Sequence, residues 1–179
     1  DVKGGNRPWG YRLQETNITL HEKGLPALLK QGPQLGQERF PLFTTHYPEA
    51  QGMVLADAIE SGRIRAVVSF GLNRLMWPNS KRLGKLLERL ELFTVCDFFP
   101  TPTRDLATVS FPAAMHLERE ALVVAGSGKI QRRPAAVGPR GEARSDLRIV
   151  FRLAERLGLA QGFWEGSVAA SFEERLGTS

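Results

Sequence analysis

The chain has 179 residues and a single cysteine, Cys96. One thiol can form no internal disulfide, and with only three histidines, His21, His46 and His116, standing in separate segments, it cannot complete a structural zinc site either. Long apolar runs are missing too. The longest, Ile64 to Gly71, is of strand length and far below the roughly 18 to 20 residues of a membrane-spanning helix. A membrane span is therefore excluded. The first residues, Asp1 to Trp9, lack the basic segment and apolar core of a secretory signal. The chain opens on Asp1 rather than methionine, and the expectation is a processed or excised piece of something longer.

With 42% hydrophobic, 24% charged and 8% aromatic residues, the composition is that of a globular protein with one principal domain. Lysine and arginine number 24 against 19 acidic residues, and the net charge of +5 suits an anionic partner such as phosphate. The excess is spread along the chain. Arg82, Lys85 and Arg89 share one helix face, but Glu88 and Glu91 stand close by and no aromatics interleave. That face reads as solvated, and no nucleic-acid partner is expected.

Residues 1–52 are rich in glycine and proline and lack sustained periodicity, which predicts an irregular wrapping segment with one short helix over Leu25 to Lys30. Residues 53–160 read as a parallel α/β domain. Met53 to Ser61 is a helix stopped by Gly62, and Ile64 to Phe70 is a strand whose nearly continuous apolar character suits a sheet covered on both faces. A second helix places Leu83, Leu86, Leu87 and Leu90 on one stripe. Leu92 to Cys96 and Thr108 to Phe111 are further strands, with one helical turn over Thr103 to Leu106 between them. Ser145 caps a last strong helix with the stripe Val150, Leu153, Ala154 and Leu157, and residues 161–179 form a tail with a short helix over Ser171 to Leu176. The fold class is α/β, a Rossmann-like parallel sheet flanked by helices, with an irregular N-terminal extension.

In open parallel sheets ligands lie beyond the carboxyl ends of the strands, so the loops there carry the candidate chemistry. Gly71-Leu72-Asn73 follows the first strand: glycine permits close backbone approach, and asparagine offers both donor and acceptor to a nucleotide. The competing reading is an ordinary strand-to-helix turn. Cys96-Asp97 ends the second strand, where a carboxylate can accept two hydrogen bonds from a guanine edge, or simply close a turn ahead of Pro100. The Cys96 thiol itself reads as a small buried hydrophobe. Gly126-Ser127-Gly128-Lys129 has the look of a phosphate loop but fails its pattern, with Val123 where glycine is needed and Ile130 where Ser or Thr is. His116 reads as structural or surface-exposed, and no Gly-x-Ser-x-Gly elbow occurs. Asp146 in the first turn of the last helix complements the macrodipole or serves a ligand.

Taken in order, these segments resemble the molybdopterin oxidoreductases of the dimethyl sulfoxide reductase family. Val2-Lys3-Gly4-Gly5-Asn6 is similar to that family's Val-Pro-Gly-Gly-Asn segment, and Ala58 to Ala66 with Gly71-Leu72-Asn73 to its "Ala-Ile, Gly-Lys-Ile-Lys-Ala, Gly-x-Asn-Pro" series. Val95 to Thr103, Phe111 to Glu120 and Gly141 to Leu147 follow, the last resembling a Gly-Glu-Ala-Arg/Lys-Ser/Pro-Asp segment before a closing helix. Arg74 stands where the family often has proline, and Ala125, Ser127 and Lys129 depart from its "Asn-x-Glu-Gly-Arg-x-Gln" run.

The resemblance implies one cofactor-binding domain of a larger oxidoreductase that carries molybdenum as bis(molybdopterin guanine dinucleotide), with the remaining domains of the same polypeptide as partners. Carried over by position, nucleotide contacts fall on Asn73, Cys96, Asp97, Arg119 and Asp146, beside Gly71. Asp97 would accept from guanine, Asn73 would hold sugar or phosphate, Arg119 would offer charge to phosphate, and Asp146 would be a second acceptor. The family's N-terminal cysteine cluster and its molybdenum ligand have no counterpart here, so any iron–sulfur centre would lie outside this chain, which alone is expected to be inactive. A different class stays open: a stand-alone nucleotide-binding or protein-interaction module of the same fold without catalysis.

Overall fold

The computed structural model describes residues 35–41, 50–124 and 130–176. The expected helix over Leu25 to Lys30, the glycine-serine turn at 126–128 and most of the 1–52 segment lie outside them. By Cα proximity the chain divides into two compact units that alternate along the sequence. The first comprises Asp1–Ala66, Lys81–Glu91 and Val124–Gln131, and the second Val67–Ser80, Leu92–Val123 and Arg132–Ser179.

In the first unit a three-ten turn, Gly52–Val54, leads into helix α1, Leu55–Glu60, so the single helix expected from Met53 divides at Leu55. Ala58 and Ile59 are its buried face, and Gly62 ends it at φ +74°, a left-handed backbone that glycine adopts without steric cost. Helix α2, Ser80–Leu87, buries Leu83, Leu86 and Leu87 as the leucine spacing predicts, whereas Leu90 falls beyond its end. Arg82 on α2 donates to Asp57 and Glu60, and Asp57 also accepts from Arg39. The basic face of α2 is thus partly spent on ion pairs. A forked Arg65–Glu91 pair, 2.6 and 2.7 Å, lies beside a backbone bond from Glu91 N to Arg65 O.

The second unit holds the sheet. Strands β1 (Ala66–Phe70, its first residue in the other unit), β2 (Leu92–Asp97) and β3 (Val109–Pro112) lie in the order β1-β2-β3. β2 and β3 are parallel, with Thr94 opposite Val109 and Cys96 opposite Phe111. Phe93 and Val95 point to one face and are buried to 0% and 1% exposure. Val68, Phe70, Leu92, Val109 and Phe111 belong by alternation to the other face and remain exposed. Two further strands, β4 (Ala121–Val124) and β5 (Ile130–Arg133), each run across the division between the units.

Helix α3, Asp146–Arg156, starts where Ser145 Oγ accepts from Arg148 N, the cap expected from sequence. Its buried side keeps half of the expected stripe, Ala154 and the half-buried Val150. Phe151 and Ala154 are buried, while Leu153 and Leu157 are exposed. The rotation follows from the tail: Phe151 packs with Val168 and Phe172, joined by Leu147, Val150, Phe163 and Trp164. Phe163 and Trp164 come from a kinked three-ten segment, Ala160–Gly166, and Val168 and Phe172 from helix α4, Val168–Leu176, which begins three residues before the expected tail helix. Trp164 Nε1 also donates to Glu174. The C-terminal segment, rather than the sheet, thus receives the most buried side of α3.

Two outcomes test this description. Phe93→Ala removes a fully buried ring, and denaturant titration is expected to show a loss of about 3–5 kcal/mol. The Asp57 carboxyl is held below its ordinary 3.8, first by the hydrogen bond from Arg82, so its contribution to stability is present above that value and is lost as pH falls through the lower folded value. Arg82→Met should therefore lower Tm near neutral pH, and the gap from the parent chain should close in acid below 3.8.

Candidate functional site

The carboxyl ends of the strands are stitched together by backbone. Gly71, just past β1 at φ +66°, donates its N–H to Cys96 O at 2.9 Å. Ala113 N donates to Asp97 O at 3.0 Å, which ties the end of β3 to the end of β2. Arg144 N then donates to Pro112 O and Ala114 N to Arg144 O, a parallel bridge that lays the 143–145 segment against the end of β3 and delivers the N-terminus of α3 to the same edge. A side-chain stitch joins the two neighbouring loops: Thr103, wholly buried, accepts from Arg74 N at 3.0 Å. Gly71, Asn73, Cys96, Asp97 and Asp146, five residues spread over 76 positions of sequence, thereby stand along one edge.

Their side chains are not equally available. Asn73 Oδ1 accepts from Leu75 N at 3.1 Å and caps the three-ten turn Arg74–Met76, leaving its amide NH2 without a partner among the described residues. Asp97 Oδ1 accepts from Phe98 N at 2.6 Å and Phe99 N at 3.3 Å, so one oxygen closes the turn and Oδ2 is left to accept. The turn reading and the acceptor reading of Asp97 are therefore compatible. Cys96 is 1% exposed, and desolvation, with a smaller effect from the Asp146 carboxylate, pushes its thiol up to about 11. Burial limits Cys96 to contacts through its backbone.

Two cavities open on this edge. One, about 380 Å³, is lined by Asp97, Phe98, Arg104, Ser110 and Glu142 among others, with Arg104 Nε donating to Ser110 Oγ at 3.3 Å. The other, about 460 Å³, has Arg119, Arg144, Ser145 and Arg148 in its wall together with Glu118 and Glu120. Gly71, Asn73, Cys96 and Asp146 line neither, and Asp97 and Arg119 are in different cavities. Arg104, Glu142, Arg144 and the exposed Phe98 were not singled out by sequence. Phe98, Glu142 and Arg144 do lie inside the quoted segments, but only the assembled strand ends show that Phe98 and Glu142 face one cavity and Arg144 the other.

Several polar atoms along these loops are buried without a hydrogen-bond partner: Nε of Arg74 after β1, Oγ1 of Thr101 after β2, and Nε of Arg119 after β3. Thr94 Oγ1 on β2 and Arg133 Nε on β5 are likewise buried without a partner. Among the described residues, no three His, Cys, Asp or Glu side chains are grouped to hold a metal ion. No helix there is long and apolar enough to cross a membrane.

A parallel α/β sheet with polar loops at its carboxyl edge is the form of a nucleotide- or cofactor-binding domain. Comparison with known proteins gives the particular family. Residues 18–156 match the molybdopterin oxidoreductase family, and the chain belongs to it, the family of dimethyl sulfoxide reductase. The chain is 34% identical over 104 residues to the NADPH-Fe(3+) oxidoreductase subunit alpha of Geobacter sulfurreducens, covering 58% of this chain and 12% of that protein. It is 35% identical over 121 residues to a nitrate reductase of Klebsiella oxytoca, covering 66% and 14%. Acetylene hydratase from Pelobacter acetylenicus shares the fold, with a TM-score of 0.60 and 24% identity over 72% of this chain and 22% of that one. The chain thus spans a small part of each of these proteins.

The Cys96 environment makes a direct prediction. Native chain should react with a thiol reagent near neutral pH at least about a hundredfold more slowly than chain unfolded in denaturant, as burial and a thiol raised to about 11 require. Comparable rates in the two states would contradict the burial.

Proposed function

We propose that this chain is the part of a molybdenum oxidoreductase that holds the guanine dinucleotide end of the cofactor on the carboxyl edge of its sheet. The observation that carries the reading is Asp97 at the end of β2, whose Oδ2 stays unpaired in a cavity that it shares with the exposed Phe98 ring and Arg104. The residues fit a purine nucleotide in character. Asp97 Oδ2 is free to accept from the guanine ring and exocyclic N–H groups, a pattern that adenine, with no ring N–H on that edge, cannot match. Phe98, exposed in the same cavity, offers a ring face for stacking on the base. Arg119, with Arg144 and Arg148 beside it, offers forked donors to phosphate oxygens, and the Asn73 amide is a neutral donor for sugar or phosphate.

Gly71 serves by its backbone, since its left-handed φ turns the chain sharply off β1 without a side chain over the edge. Cys96 fixes that turn through its carbonyl, and Asp146 adds negative charge at the same edge, where it favours donors of the base over phosphate. When bound, the cofactor supplies the two-electron chemistry, and the protein's task is binding and orientation. A buried lone cysteine gives no purchase for an iron–sulfur cluster, so a cluster in the complete enzyme would rest on other residues. On this reading the 179 residues bind and do not turn over.

Calorimetric titration with GDP and ADP tests the assignment. GDP should bind more tightly than ADP, and Asp97→Ala should weaken GDP by about tenfold to a hundredfold, the worth of hydrogen bonds to a charged acceptor, while leaving ADP unchanged. Equal affinity for the two nucleotides, indifferent to Asp97, would remove guanine recognition from this edge and favour a module of the same fold that has lost the cofactor.

A further inference from the structure

Asp97 shares its cavity with Arg104, a cation that no sequence motif marks. β2 and β3 pair with Val95 opposite Ser110 and Asp97 opposite Pro112, so by alternation Ser110 and Asp97 stand on the same face of the sheet. Arg104 reaches that face from the loop between the two strands, where it opens the three-ten turn Arg104–Leu106. Its backbone is anchored at both ends: the N–H donates to Thr101 O at 2.9 Å, the carbonyl accepts from Ala107 N at 2.9 Å, and the wholly buried Thr103 precedes it. The side chain is aimed as well, because Nε donates to Ser110 Oγ at 3.3 Å.

A guanidinium held through Nε presents its two terminal nitrogens as a rigid pair of donors. Neither Asp97 nor Glu142, the acidic residues of the same cavity wall, closes that pair with an ion pair. One wall therefore offers two donors beside a carboxylate oxygen. Among the common bases guanine alone matches both: its ring N–H and exocyclic amine meet a carboxylate, and O6 and N7, on the adjoining edge, accept from an arginine fork. Adenine carries an amine where guanine has O6, and that donor would face the donors of Arg104.

We infer that Arg104 is a specificity-determining residue of this cavity, reading guanine O6 and N7 while Asp97 reads the neighbouring donor edge. The inference rests on the placing of guanine at Asp97 proposed above. Asp97 selects two adjacent donors, and Arg104 adds the demand for two adjacent acceptors. Ser110 is a positioning residue that keeps the guanidinium turned along the sheet face toward the base.

The test is calorimetric titration of the 179-residue chain with GDP, ADP and 7-deaza-GDP, which keeps O6 and both N–H groups of guanine but has carbon in place of N7. GDP should bind about tenfold more tightly than 7-deaza-GDP, as one hydrogen bond from a charged donor gives. Arg104→Met should weaken GDP by at least about tenfold and erase its preference over 7-deaza-GDP, whereas Asp97→Ala should weaken both alike. Ser110→Ala should narrow the preference and Ser110→Thr, which keeps the hydroxyl, should retain it; a merely structural loss would weaken both nucleotides equally. The two guanine nucleotides on the unaltered chain test the same contact without any substitution, whatever a variant does to the fold. Binding that prefers GDP to ADP through Asp97 yet treats GDP and 7-deaza-GDP alike overturns the role of Arg104 and leaves guanine recognition standing, as does a preference that persists in Arg104→Met. Equal binding of GDP and ADP, or none at millimolar nucleotide, removes guanine from this edge, and the role of Arg104 falls with it.

Discussion

The architecture hangs on the hydrogen bonds that hold the carboxyl ends of three parallel strands in line. Each strand of a parallel sheet returns by a crossover, so its end is left as a loop that has to be anchored sideways or not at all. Here the anchors are the Gly71–Cys96, Asp97–Ala113 and Pro112–Arg144 backbone bonds, with Thr103 clasping the Arg74 amide between the first two loops. Loosening any of them would splay the loops on which the polar groups stand. A positive-φ glycine at 71 and a wholly buried threonine at 103 are the local means by which the sequence achieves this.

Much of the fold was legible because its signals are local. The leucine spacing of α2, the glycine at the end of α1 and the Ser145 cap each depend on residues within one or two turns of each other, and each stands where the pattern puts it. What failed was information carried by distant partners. Of the stripe Val150, Leu153, Ala154 and Leu157 on α3, the two leucines are exposed, because the buried side is set by Phe163, Trp164, Val168 and Phe172 further along the chain, and no periodicity within α3 encodes that. The division of the first helix at Leu55 is, by contrast, local: Gln51 accepts from the Met53 amide and tightens the entry into three-ten form.

The candidate site shows the same division. Asp97, Asn73 and Gly71 could be placed at strand ends because a strand followed by a polar turn can be read directly. Their pairing with backbone donors could not, since it depends on the turn each one closes. Arg104, Ser110 and Glu142 enter only when three strands are brought into register, and the separation of Asp97 from Arg119 into different cavities is a property of the assembled edge alone. Family resemblance supplied order along the chain. Geometry supplied which atoms are still free.

The arginines set four residues apart along α3 have a wider consequence. Four residues advance a helix by slightly more than a full turn, so between Arg148 and Arg156 the row winds by about 80° around the axis. Its two ends therefore face different surroundings: Arg144 and Arg148 border the 460 Å³ cavity at the α3 N-terminus as well as a cleft of about 790 Å³ between the sheet and α3, whereas Arg152 and Arg156 border the cleft only. A lengthwise row of charge on one helix thus presents its guanidinium groups to two neighbouring hollows, two of them to both and two to one alone.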